Sequence, residues 1–315
     1  LWCLYEATGD EAWKTRAVKW TEILAPVADY TGNHDIGFMM YCSYGNARRI
    51  LKTDKYDSLL LRAAESLSKR YNQKLGIIRS WGNISDNKDF LVIPDNMMNL
   101  ELLFRAVELG GSDSLNNIAV SHALTTMKNH FREDNSAYHV LDYNPDTGEV
   151  LERCVGQGFS PESAWARGQA WALYSFPMVY RFTNDPEMLE HAIDVAEYVI
   201  SRLPEDCIPY WDFDSPEIPD DVRDASAAAI MACGLIELSG YVDKGKSERY
   251  LDVAERMLRT LAGDEYLAAE GEQYGFLLKH STGFKLRNSE VDAPLTYADY
   301  YFLEALMRWR SVCHK

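Results

Sequence analysis

The feature that most limits what this chain can fold into is a recurring break between two kinds of apolar segment. Segments with helical periodicity end in short polar turns, and each turn opens a second, amphipathic segment. The turns read ATGDEAW near Gly9, LKTDKY near Asp54, LGGSDSL near Gly111, FTNDPEM near Asp185 and YVDKGKS near Gly245, roughly 45 to 75 residues apart. Gly ends a helix by taking positive φ, and Asp, Ser or Thr caps the next one. Segments 35–51, 95–109, 163–182, 224–241 and 296–309 are rich in Ala, Met, Leu and aromatics almost all round, the pattern of a buried helix. Their partners, such as 11–24, 55–71 and 186–203, carry a charged face and belong outside. With the stub 1–6 this makes about six inner and five outer helices. Inner–outer alternation closed into a ring is an all-α fold, an α/α toroid, and its remaining outer helix is expected to precede Leu1.

Composition adds exclusions. The 315 residues are 47% hydrophobic, enough for a large core, and no Gly/Ser/Pro linker interrupts them, so a single catalytic domain over 1–315 is expected. No apolar run reaches the roughly 18 residues of a membrane span, so no membrane partner is expected. The net charge of -16 repels phosphates and argues against a nucleic-acid partner. Six cysteines stand singly, without CxxC or other metal-ligand spacing. Cys3, Cys42, Cys233 and Cys313 fall in apolar helical patterns, where a free thiol acts as a small hydrophobe.

The connections are two-sided. Inner-to-outer turns are short, whereas 25–34, 72–94, 133–162, 204–223 and 263–295 are long, and long loops in a compact domain usually carry function. In a toroid they gather over the N-terminal ends of the inner helices, whose dipoles suit an anionic ligand. These loops and the turns after them hold His34, Asp35, Trp81, Asp95, Asn96, His139, Gln157, Trp165, Arg167, Gln169, Trp171, Trp211, Asp212, His280 and Asp292. Trp, His, amide and carboxylate together are what grips a sugar: rings stack on its faces and polar groups hold its hydroxyls. Each has a plainer reading beside it. Asp35 and Asp95 are also suited to helix caps, His34 and His139 to bonding backbone carbonyls, and Trp165 and Trp171 to the core. Arg167 within an apolar helix requires an anion, either a structural carboxylate or one on the substrate. Ser163 lacks a nucleophile-elbow context, and neither a glycine-rich phosphate loop nor an HExxH zinc motif is present, so no cofactor or metal is expected.

Four stretches, HDIGFMMYCSYGNARRI, IPDNMMNLELLF, SAWARGQAWALYSF and VDAPLTYADYYFLEAL, together resemble glycoside hydrolase family 88, the unsaturated glucuronyl hydrolases. The resemblance runs in order from Leu1 to about Arg310. It implies an α/α toroid of six hairpins and an unusual hydrolysis. The substrates implied are unsaturated uronic-acid oligosaccharides of glycosaminoglycan type, left by polysaccharide lyases. One alkene carbon of the terminal ring is protonated, water adds to the other, and the resulting hemiketal collapses to release the neighbouring sugar. Such chemistry needs one carboxyl group that gives a proton and handles a water, not the paired acid and nucleophile of a retaining glycosidase.

By motif, the resemblance implies that Asp95 is the general acid/base and Asp35 its supporting neighbour, holding hydroxyls and raising its partner's pKa by like charge. It implies that His139 and Gln157 contact water and substrate, that Trp81, Trp165 and Trp171 stack, and that Arg167 lies near the substrate. Asn96 and Asn99 would orient Asp95 or bridge to neighbouring helices. Two positions depart from the family pattern. Pro94 stands before Asp95 and forces Ile93 toward extended geometry. Gly156 precedes Gln157 where some members carry a bulkier polar residue, which bears on reach toward the next sugar. A toroid closed at its short-turn end offers a blind pocket, hence exo action. Three rivals remain. Unsaturated rhamnogalacturonyl hydrolases of the sister family would favour RGNGW over ARGQAW, sugar epimerases would want paired central histidines, and a helical-hairpin scaffold would have bland loops. Ser281, Lys285 and Arg287 in the last long loop suit either a sulfate or solvent.

Overall fold

The turn chemistry builds the helix pairs. In the computed structural model, which describes residues 1–85 and 88–313, α1 (Trp2–Thr8) stops at Gly9, whose φ of 70° brings its N–H to Tyr5 O. Asp10 then caps α2 (Glu11–Glu22), accepting from Ala12 N at 2.8 Å. Contacts group the described chain into two compact units: Leu1–Asn129 with Leu141–Glu152, and His130–Val140 with the chain from Arg153 onward.

In the first unit, segment 35–51 runs as α3 (Ile36–Met40), a π turn (Tyr41–Gly45) and α4 (Asn46–Leu51). Next come α5 (Asp57–Ser68), a 3₁₀ turn (Pro94–Asn99), α6 (Leu100–Glu108) and α7 (Ser114–Asn129). The segment expected as one helix over 95–109 therefore turns α-helical only at Leu100. Proline sets where the segment begins: at the first position its missing N–H costs nothing, and it holds Ile93 extended at φ −129°, ψ 156°, as a residue before proline must be.

Five short strands, absent from the helical expectation, fold parts of the long loops. β1 (Tyr71–Asn72) pairs antiparallel with β2 (Ile77–Ile78). β3 (Phe90–Val92) pairs antiparallel with β4 (Val140–Tyr143), in the register Phe90 to Tyr143 and Val92 to Leu141, and β5 (Val150–Cys154) completes the order β3-β4-β5. Strands of two to five residues are too short to show a period-two pattern.

The second unit holds α8 (Ala166–Thr183), α9 (Pro186–Arg202), α10 (Ala225–Leu238), α11 (Lys244–Leu261) and α12 (Thr296–Cys313). Every residue of α10 is buried, and it packs on α8, α11 and α12, as a helix apolar all round must. α9 buries Met188, Ala192, Val195, Ala196 and Val199, one stripe at helical spacing, and leaves its charged face out. Asp185 caps α9 through Glu187 N at 3.0 Å, and Asp243 caps α11 through Gly245 N at 2.9 Å. Where α8, α10 and α12 meet, the half-buried Arg308 donates to Glu304 Oε1 at 2.8 Å, to Glu237 Oε2 at 2.9 Å and to the Tyr174 hydroxyl, joining the three helices. Cys3, Cys207 and Cys233 are buried, and Cys313, expected in apolar packing, is exposed. Among the described residues no helix is long and apolar enough to cross a membrane.

Candidate active site

In the first unit Asp35 is the N-cap residue of α3, yet its side chain makes no capping bond. The carboxylate is 42% exposed, and its Oδ1 lies 3.3 Å from Nε2 of the buried His34. Capping therefore does not explain this aspartate. His34 donates its backbone N–H to Ser80 O at 3.1 Å, and its ring meets Trp81 edge-on at 6.2 Å. Burial pulls the His34 pKa down, opposed by the Asp35 charge; Arg70 lowers it further, and the Asn96 side chain favours the protonated form.

Asp95 sits in the second position of the 3₁₀ turn, half-buried, with one carboxylate oxygen shielded from solvent. The two amides beside it act as fasteners. Asn96 Nδ2 donates to Ile78 O at 2.7 Å. Asn99 Oδ1 accepts from Phe38 N in α3 at 2.7 Å, while its Nδ2 reaches Asp95 O at 3.4 Å. The approach is so close that a Cβ on Gly37 would lie 2.6 Å from Asn99 Cα. Glycine at the fourth residue of HDIGF thus lets the Asp35 helix meet the Asp95 turn.

Two residues overlooked in the sequence hold this geometry. Ser80 bonds His34 through its carbonyl and accepts from Ile93 N with its hydroxyl at 3.0 Å. Buried Arg70 donates to Thr31 O at 2.5 Å, Arg79 O at 2.8 Å and Gly82 O at 3.3 Å, pinning the loops before Asp35 and around Trp81. Burial first, then the neighbouring Arg79, brings the Arg70 pKa down to about 10. Because its partners are backbone carbonyls, no residue pattern announces them.

In the second unit His139 is buried and stacks on Trp165, ring centroids 4.1 Å apart. Its Nδ1 accepts the Gln157 N–H at 3.0 Å, which places the imidazole proton on Nε2. Burial, with Arg167 and His130 adding to it, drops the His139 pKa to about 3, so the ring is neutral. Gln157 Nε2 donates to Gly283 O at 2.9 Å. The loop that follows hangs on buried Asp212, whose Oδ2 accepts from Phe159 N at 2.8 Å and from Ser163 Oγ at 2.7 Å.

Arg167 finds its anion inside the protein. Its Nη1 donates to Asp224 Oδ2 at 2.7 Å and to Thr282 O at 2.6 Å, and Nη2 donates to Gly283 O at 2.9 Å, the carbonyl that Gln157 also uses. Of the two anions the sequence allowed, the structural carboxylate is present. Trp165 and Trp171 are 1% and 5% exposed. Trp165 lies against His139 and the Arg167 guanidinium, and Trp171 against Tyr301, so both sit in core surroundings. Trp81, in the first unit, is half-buried. Gln169 is structural, bracketing the backbone of Ala137 at 2.8 and 3.0 Å. In the last long loop Ser281 is buried, and Lys285 bonds both Asp221 and Glu217. Among the described residues no three His, Cys, Asp or Glu side chains converge as a metal site.

No family model matches the chain. An unsaturated glucuronyl hydrolase of Formosa agariphila is 44% identical over 321 residues, covering 100% of this chain and 79% of that protein. An unsaturated chondroitin disaccharide hydrolase of Streptococcus pyogenes serotype M1 is 34% identical over 316 residues, covering 98% of this chain and 78% of its own length. The crystal structure of an unsaturated glucuronyl hydrolase specific for heparin matches with a TM-score of 0.95 at 46% identity, over 100% of this chain and 84% of the other. Likeness of this extent carries the fold class with it, and the all-α, α/α-toroid class expected from the helix pattern holds.

Proposed function

This chain belongs to the unsaturated glucuronyl hydrolases, glycoside hydrolase family 88, and from that premise we propose that it is an exo-acting hydrolase removing the terminal unsaturated glucuronic acid from lyase-generated glycosaminoglycan fragments. The observation that carries the proposal is the fastening of the Asp35 and Asp95 segments to each other through Asn99 and Ser80. Two carboxylates set on first turns, with capping excluded for Asp35, suit proton transfer and hydroxyl binding.

Asp95 gives its proton to one alkene carbon and receives one from the water that adds to the other. One water is consumed. The hemiketal opens the ring, and the neighbouring sugar leaves. Asp35 holds substrate hydroxyls, and the half-buried Trp81 stacks on the flattened ring. His139, its proton fixed on Nε2, donates to substrate or water, and Gln157 assists from the adjoining loop. Arg167, already balanced by Asp224, serves by fixing Gly283 and through it Gln157. Trp165 backs His139 and Arg167, while Trp171 packs on Tyr301.

Mixing the enzyme with unsaturated disaccharides from heparin and chondroitin lyases tests the proposal. Hydration removes the conjugated alkene, so absorbance near the ultraviolet edge falls as the free sugar appears. Efficient cleavage of the matching saturated disaccharide, or mid-chain cutting of an intact polysaccharide, would place the protein among ordinary glycosidases instead.

A further inference from the structure

Asp35 has a carboxylate partly open to water and no capping bond to fix it. Among the described residues the one side chain paired with it is His34, at 3.3 Å. That imidazole is itself immobile: 1% exposed, edge-on to Trp81, with its backbone N–H on Ser80 O. Ser80 also accepts from Ile93 N, two residues before Asp95. The Asn96 amide, whose Nδ2 is committed to Ile78 O, acts on the same ring. A path of short contacts thus runs from the Asp35 carboxylate through His34 and Ser80 to the turn bearing Asp95.

We infer that His34 is a positioning residue: its Nε2–H faces Asp35 Oδ1 and orients that carboxylate, while Ser80 ties the orientation to the Asp95 turn. The groups that act on His34 are consistent with a neutral ring bearing one proton. Burial and the Arg70 guanidinium disfavour a second proton, and Asp35 and Asn96 favour one. With a single N–H, the nitrogen beside a carboxylate is where the proton is held. Removing that neighbour frees Asp35 to rotate.

The inference rests on the proposed alkene hydration with Asp35 in the machinery, so the parent and Asp35→Asn are measured alongside His34→Phe and His34→Gln. Turnover of an unsaturated disaccharide is followed. His34→Phe should lower kcat by about ten- to a hundredfold, as small misplacements of reacting groups do. KM should rise by no more than about threefold, because Asp35 keeps its place and loses only its orientation. His34→Gln, which restores an N–H donor, should recover part of the lost kcat. An unchanged kcat in His34→Phe beside an impaired Asp35→Asn overturns the inference alone. A parent inert on the alkene, or an Asp35→Asn as active as the parent, overturns the functional reading and this inference with it. Should His34→Phe fail to fold, nitrogen NMR of the unsubstituted protein decides: the Nε2–H tautomer at His34 is required, and the Nδ1–H tautomer contradicts it.

Discussion

Replacing Gly156 by Ala puts one methyl group into a site with no room for it. The added Cβ would stand 2.4 Å from His139 Cε1, 2.7 Å from His139 Nδ1 and 2.9 Å from Val140 Cγ2. A flexible side chain would yield cheaply. His139 is not flexible: it is 5% exposed, stacked on Trp165 and bonded to Gln157 N. Forcing a methyl group into packing of this kind costs about 1–3 kcal/mol. Displacing the imidazole also loses the Gln157 hydrogen bond, about 1 kcal/mol more. The sum, about 2–4 kcal/mol, should appear in urea unfolding as a lower midpoint at unchanged slope. If His139 serves the substrate, kcat should fall too, by about a hundredfold for an ångström of ring movement. A variant within about 0.5 kcal/mol of the parent, the range of a neutral surface change, would refute the packing argument. It would also return Gly156 to being a question of reach toward the next sugar.

Acid should weaken the second unit. Burial lowers His130 and His139 to about 3 and His191 to about 4, against about 6.5 in the unfolded chain. Below pH 6.5 the unfolded chain takes up protons that the fold refuses, so this stability is complete above pH 6.5 and is lost as pH falls toward the folded values. At pH 5 the three should together remove about 6 kcal/mol relative to pH 7.5, and urea midpoints that do not move between those two pH values would contradict this. Asp224→Ala should cost about 3–5 kcal/mol, because Arg167 would be left buried without its carboxylate; calorimetry measures it, and a Tm equal to the parent's would count against the pair. Asn99→Ala strips the acceptor from Phe38 N and should cost about 1–3 kcal/mol together with a clear loss of kcat; a stable, fully active variant would remove Asn99 from the fastening of the two aspartate segments. Dialysis against EDTA should leave activity unchanged, and restoration of a lost activity by zinc or calcium would overturn the carboxyl mechanism.

Helix pairing was legible because it rests on local chemistry repeated often. Gly9 and Asp10, Asn184 and Asp185, and Asp243 stop and start helices through bonds to neighbours two to four residues away, which a linear sequence displays. The extended Ile93 was legible for the same reason, since proline constrains the residue before it. What the pattern hid depends on distant partners. The anion for Arg167 is Asp224, 57 positions away, and nothing in ARGQAW distinguishes it from a substrate carboxylate. Arg70 and Ser80 work through backbone groups of loops that fold only with the rest of the chain, so residue type gives no sign of them. The strands β1 to β5 were hidden by their brevity. Trp165 and Trp171 show the opposite difficulty: motif resemblance points to substrate, helical periodicity points to core, and their burial agrees with the second without removing the first.

Asp95→Asn tests the central claim most directly. The amide keeps the shape and an oxygen for local hydrogen bonds but delivers no proton. Followed by loss of alkene absorbance on an unsaturated glucuronyl disaccharide, turnover should fall by about a thousandfold or more, with the unfolding midpoint and disaccharide binding close to the parent's. Activity within about tenfold of the parent would contradict the assignment of proton transfer to this carboxyl group.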